Sequence, residues 1–249
     1  RLLEGLKVPA VSFYCRELLQ EVSAERLARP INRPPDAERV MFVNGRLLWR
    51  ASVELNPAPT PGGSAVQWHE GQAVVIQADR ALAVRLTPEV LLDADAAARV
   101  LKDVPAHPFV AFPRLMRYPW DLIHANAELL NADWLHAGAP AGIEGRICDG
   151  VYLLNREGIH VGCGTVIKPG VVLDAEHGPI FIGRGVTLSP NVCIEGPCYI
   201  GDDSLIQPGA VLRDAMSIGR RCKVGGELES SIIHGYSNKQ HDGFLGHSY

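Results

Sequence analysis

The chain has 249 residues, 47% of them apolar, with 24 lysines and arginines against 28 aspartates and glutamates, enough apolar material for one large or two ordinary cores. The charges divide evenly, 16 basic and 18 acidic before position 150 and 8 and 10 from there on, so neither half carries the basic surplus that nucleic-acid binding requires. No run of about eighteen apolar residues and no cleavable leader pattern occurs, which argues against a membrane span and a secretory route.

Six cysteines stand at 15, 148, 163, 193, 198 and 222 without a CxxC or a paired spacing, as expected of reduced thiols in a cytoplasmic protein. The chain opens on Arg1 and stops inside a repeat, so both ends are expected to belong to something longer.

Residues 1–142 read as an irregular α/β domain. Val11 to Tyr14 is a strand candidate, and Arg16 to Leu27 has helical spacing at Leu18, Leu19, Val22 and Leu27. Val40 to Val43 predicts a strand that ends in Asn44-Gly45, a pair suited to a tight turn, and the apolar run Arg46 to Trp49 makes a hairpin the economical reading. Pro57 to Ser64 is a loop, Ala73 to Gln77 and Ala81 to Leu86 read as strands, and Thr87 caps a helix running to Val104. Asp121, after Trp120, caps a further helix with Leu122, Leu129 and Leu130 on its apolar face. The AGAPAG stretch at 137–142 is the expected linker.

Residues 143–249 carry the strongest signal. Aliphatic residues recur every six positions at Ile182, Leu188, Ile194, Ile200, Ile206, Leu212, Ile218 and Val224, and Val161, Ile167 and Leu173 extend the series across an insertion at His177 to Pro179. Three hexads make one coil of a triangular prism, since Ile182-Gly183, Ile200-Gly201 and Ile218-Gly219 repeat every eighteen residues. Small residues four places after each aliphatic, among them Thr165, Val186, Cys198, Ser204 and Ala210, fill the interior. Four or five coils are expected, with the repeat failing after Val224, where Ser230 stands at the next aliphatic position.

The polar tail that follows holds Asn238, Lys239, His241, Phe244 and His247. KVGGELESSIIHGYSNKQHDGFLGH resembles the corresponding stretch of the bifunctional N-acetylglucosamine-1-phosphate uridyltransferase and glucosamine-1-phosphate acetyltransferase family. It is closest to a divergent sugar nucleotidyltransferase branch, to which Val43 to Arg46 (VNGR) and Pro119 to Asn126 (PWDL-x-x-x-N) are also similar. The resemblance implies a left-handed parallel β-helix, a homotrimer, and an N-terminal nucleotidyltransferase-like domain lacking its phosphate loop. That domain would take a sugar phosphate, a nucleoside triphosphate and Mg2+.

It also implies that His241 is the general base for acetyl transfer from acetyl-CoA to an amino-sugar 1-phosphate. Imidazole titrates near neutrality, and such a base contributes about a hundredfold to ten-thousandfold. Phe244 stands where the better-known branch has tyrosine; Lys239 is assigned to an anionic group and Asn238 to the sugar. Asn44, Arg46 and Asp121 are carried as substrate-binding candidates, each with an ordinary reading as turn, packing or cap. The family's phosphate-gripping arginine and lysine are replaced by Gln207 and Ser231.

Two other classes stay open. One is a metal-dependent hydratase using His234, His241 and His247, although spacings of seven and six put successive histidines on different prism faces. The other is a silent assembly module.

Overall fold

The computed structural model describes residues 10–33, 36–48, 63–108 and 114–249. It contains two compact units, Arg1–Leu115 and Met116–Tyr249. Among the described residues no helix is long and apolar enough to cross a membrane.

The first unit opens on a 3-10 turn, Glu17–Leu19, and helix α1, Gln20–Leu27. The expected strand at 11–14 is a single bridge between Phe13 and Ile31. Leu18, Leu19, Val22 and Leu27 all lie exposed in this unit, so helical spacing identified the helix without identifying a buried face.

Strand β1 is Arg39–Val43 and β2 is Leu47–Leu48. The Asn44 turn forms, with the Leu47 amide donating to the Asn44 carbonyl at 2.9 Å, but no hairpin follows. β1 pairs with Gln72–Asp79, and β2 pairs with Arg114–Leu115. A turn residue governs only its own backbone, and the two flanking runs here find different partners.

The sheet is completed by β3, Ala65–His69, which the sequence reading missed, β4, Gln72–Asp79, and β5, Ala106–Pro108. Its order is β1-β4-β3-β5, antiparallel except for β3 beside β5. Residues 81–86, read as a strand, instead form most of helix α2, Arg80–Arg85, because the Asp79 carboxylate caps it by accepting from the Leu82 amide at 2.8 Å. Thr87 caps α3, Pro88–Leu92, as expected. The helix is then broken at Asp93, whose carboxylate caps a second one, α4, Ala94–Leu101. Val66, Ile76, Leu82, Leu86 and Leu101 form the core of this unit. The Pro57 loop lies outside the described residues up to position 62.

The second unit begins with helix α5, Asp121–His136. Its N-cap is Trp120, and the Asp121 carboxylate accepts from the Arg117 and Tyr118 amides instead, closing the preceding turn. The buried face is Ile123, Ala125 and Asn126 rather than Leu122, Leu129 and Leu130, which are half-buried. Asn126 carries the joint: its amide donates to the Ala215 carbonyl at 2.6 Å and its oxygen accepts from the Ser217 hydroxyl at 2.8 Å.

Residues 142–246 form a parallel β-solenoid of six coils, the left-handed β-helix of hexapeptide repeats. Each of its three faces is a six-stranded parallel sheet. The first face runs from Gly142–Ile143 to Ile232–Ile233, the second from Arg146–Ile147 to Asn238–Lys239, and the third from Tyr152–Leu154 to Phe244–Gly246.

All eleven aliphatics named from the period are buried to 0% exposure, and the small residues four places on fill the gaps between them. Burying such a side chain completely is worth roughly 1.5–3 kcal/mol. The column therefore supplies most of what holds the coils together.

Glycine at the corner after the first face is required by close approach. A Cβ on Gly201 would come within 2.6 Å of the Arg220 amide nitrogen in the next coil. The neighbouring corner residues are tied by charge, Arg184 to Asp202 at 3.3 Å and Arg221 to Asp203 at 3.4 Å.

Six coils exceed the four or five expected, because the first coil departs from the strict period and the last keeps it out of phase. The first coil contributes Ile143, Ile147 and Leu153 at irregular spacing, and the last contributes Ile233, Lys239 and Leu245. The tail does not protrude as a loop. Its strands stay in register, Val224 opposite Lys239 and Leu228 opposite Leu245.

Candidate functional site

The apparent failure of the repeat after Val224 is a local shortening. At the corner between the second and third faces, every other coil places four residues between strands: 148–151, 168–171, 189–192, 207–210 and 240–243. The fifth coil places only Gly225 and Gly226 there. Leu228 therefore reaches the interior column two positions early, and Ser230 is left at a corner. The hexad period then resumes through Ile233, Lys239 and Leu245.

The shortened corner leaves Gly209, on the corner of the fourth coil, uncovered. In the second coil, a Cβ on Gly170 would strike the Asn191 side chain of the corner above, whereas one on Gly209 would meet nothing within 4 Å. The shortened corner is the Gly225-Gly226 pair, and the turn above packs directly on it. Gln207 lies on one side and the turn 240–243 on the other, for a Cβ on Gly225 would come within 2.9 Å of the Gln207 Cβ and 2.5 Å of the Gln240 carbonyl. His241 and Asp242 sit exposed on that turn. A histidine presented to solvent can exchange protons with a bound molecule, which a packed one cannot do.

Lys239 occupies an inward position, stacked on Val224, where the preceding coils of that column hold Ile147, Ile167, Leu188 and Ile206. Its ammonium donates to the carbonyls of Gly225 at 2.8 Å, His241 at 2.7 Å and Gly243 at 3.1 Å. Asn238 precedes it, exposed and facing outward in register with Lys223. Phe244 is 59% exposed on the third face, and its ring lies over Gly246, where a Cβ would come within 2.6 Å of Cζ.

The sixth coil thus brings Asn238, Lys239, His241 and Phe244 together within one turn of chain. The other candidates stand elsewhere. Asn44 and Arg46 belong to the first unit, where Asn44 bonds the Ala73 carbonyl and the Arg46 amide, and the Arg46 guanidinium bonds Gln72. Asp121 holds the turn before α5.

Ser231, at the position of the expected phosphate-gripping lysine, is fully buried. It donates to the Glu229 carbonyl at 2.7 Å and accepts from the Ser248 amide at 3.0 Å, binding the fifth coil to the sixth. Arg213 is engaged too, with Glu227 at 2.6 Å and Glu229 at 2.9 Å, while His247 approaches Glu229 at 3.5 Å. Lys223, exposed and outward on the second face just before the shortened corner, has no ion pair among the described residues. The sequence reading passed over it because it lies inside a regular hexad. No group of three histidines, cysteines or carboxylates suited to a metal occurs among the described residues, so His234, His241 and His247 do not form one.

Residues 179–214 match a family model described as bacterial transferase hexapeptide, six repeats. A stretch of 61 residues, 24% of this chain, is 39% identical to the bifunctional protein GlmU of Geotalea daltonii. The match covers 11% of that relative's length. Hexapeptide repeat and β-helix together point to a transferase.

Proposed function

We propose that the solenoid transfers an acetyl group from acetyl-CoA to the amine of an amino-sugar 1-phosphate in a sugar-nucleotide pathway, with His241 as general base. The observation that carries the reading is the exposed His241 on the turn above the shortened corner of the fifth coil, on a solenoid that matches the hexapeptide transferases.

In the proposed step the sugar amine attacks the thioester carbonyl carbon while His241 takes the proton that nitrogen sheds. The tetrahedral intermediate then expels the thiolate, the C–S bond breaks, and the thiolate leaves as the free thiol after taking the proton back from the His241 imidazolium. A backbone N–H would meet the oxyanion. Lys223 is the best-placed cation for the acceptor's phosphate, since a charge-assisted contact needs a donor not already engaged. Asn238, its neighbour in register, would meet the sugar, and Phe244 would cover it.

The α/β unit is proposed to belong to a sugar-1-phosphate nucleotidyltransferase half taking a nucleoside triphosphate, with Asn44 and Arg46 at its substrate; Asp121, in the second unit, is a separate substrate-binding candidate. The described residues offer no cluster that would hold Mg2+, so no step is derived through it. Assembly as a homotrimer in the cytoplasm completes the reading.

The test is free-thiol release from acetyl-CoA with glucosamine 1-phosphate and related amino sugars. His241→Ala should leave the melting temperature unchanged, because the side chain is exposed, while turnover falls about a hundredfold or more. Equal rates in parent and variant would move the reading to a solenoid that only assembles the protein.

A further inference from the structure

The structure assigns Lys239 the role of positioning residue for the His241 turn, in place of the anion contact that its sequence setting suggested. The inference rests on the reading of His241 as base, but its geometric half stands apart from that reading.

An ammonium has three N–H donors, and three carbonyls accept from this one: Gly225, His241 and Gly243. No donor is left for a phosphate. Two of the acceptors, the carbonyls of His241 itself and of Gly243, lie on the turn of the sixth coil, and the third lies on the shortened corner beneath, so the lysine pins the upper turn to the lower. Its alkyl stem meanwhile takes the inward place stacked on Val224, where an apolar segment belongs and only a charged end needs an exit.

The corner is shaped for this. Gly226 has φ of +81°, and a Cβ there would come within 3.0 Å of the lysine nitrogen and 2.5 Å of the Gly243 carbonyl oxygen. Deletion of two corner residues, the glycine pair and the inward lysine therefore form one device. It holds the backbone from the carbonyl of the proposed base to Gly243, and a displacement of about 1 Å in a reacting group can cost a hundredfold in rate.

Lys239→Met keeps the stem and removes the donors; Lys239→Arg keeps the charge. Residue-resolved amide exchange on the full chain reads the clamp without activity. The Glu227 amide, which donates to Gly243, should exchange about tenfold faster or more in Lys239→Met, the effect of losing charge-assisted bonds on its acceptor. The Cys193 amide, on the same face lower in the stack, should not change.

In thiol-release assays, Lys239→Met should lower kcat about a hundredfold with the acceptor KM within about twofold, and Lys239→Arg should recover part of the loss. Unchanged exchange at Glu227 would overturn the proposal. So would a raised acceptor KM at full kcat, or inorganic phosphate that binds the parent and not Lys239→Met while exchange stays the same. A parent that releases no thiol removes the acyltransferase reading alone, and the exchange result then decides whether Lys239 holds the turn.

Discussion

The third and fourth coils and the sixth share one backbone ladder and differ in nearly everything else. In coils three and four each position of the six-residue series holds an aliphatic at 0% exposure, and the corners keep constant length. In coil six the inward residues are Ile233, Lys239 and Leu245, the apolar two only half-buried, and the corner beneath is two residues short. Parallel strands need only their neighbours' backbone groups. The ladder therefore survives a change of side-chain pattern, and that independence lets one coil be given over to chemistry while the others keep it rigid.

The largest test of this contrast is Ile200→Asp, which puts a carboxylate between Ile182 and Ile218 with no partner. A loss on the order of 3–5 kcal/mol is expected in thermal or denaturant unfolding. Leu245→Asp, at the half-buried end of another column, should lose about half of that or less. Equal losses would mean that coil six is packed as the regular coils are.

The same contrast explains what could be read from the sequence. The period of six identified Ile182 to Val224 because those residues have packing as their sole task, and every one is interior. It lost the sixth coil because a two-residue deletion at Gly225-Gly226 shifts the phase, and because a lysine in an inward column looks like a break when only side chains are counted. His241 and its neighbours were legible as a cluster through their likeness to a family segment. Their geometry was not, since the partners of Lys239 are carbonyls, which every residue has. In the first unit, alternation and turn signals found β1 and β4, but the partner of β2 and the conversion of 80–85 to helix depended on tertiary pairing and on one cap at Asp79.

A second prediction tests how well the regular coils are sealed. Cys198 is 1% exposed in coil four, and burial pushes its thiol from 9.0 up to about 12. Below pH 9 both folded and unfolded thiols are protonated and the group leaves stability unchanged. Between 9 and 12 the unfolded chain loses this proton and the folded chain keeps it, so stability falls as pH rises, by roughly 4 kcal/mol near pH 12. Cys198→Ala should flatten that part of the pH dependence measured by denaturant unfolding. At pH 8 the exposed Cys163 should react with an alkylating reagent while Cys198 reacts only at the rate of unfolding. Prompt labelling of Cys198 would show that the interior opens locally.

The smallest expected effect concerns Asn126, where α5 meets the ladder from outside. Its side chain satisfies two groups on the fifth coil, the Ala215 carbonyl and the Ser217 hydroxyl, and it is 7% exposed. Asn126→Ala strips both of their partner without touching an inward column, and leaving a buried polar group unmet costs about 1–3 kcal/mol. The loss should appear as earlier melting of the helical circular-dichroism signal. Protection of amides such as Leu205, which donates to the Cys222 carbonyl inside the ladder, should stay as in the parent. Asn126→Asp should be no better than alanine, because a carboxylate can accept from Ser217 but has no N–H to offer Ala215. If Leu205 instead loses protection together with the helix, the coils depend on their covering, and the autonomy of the ladder that permits an irregular sixth coil would have to be abandoned.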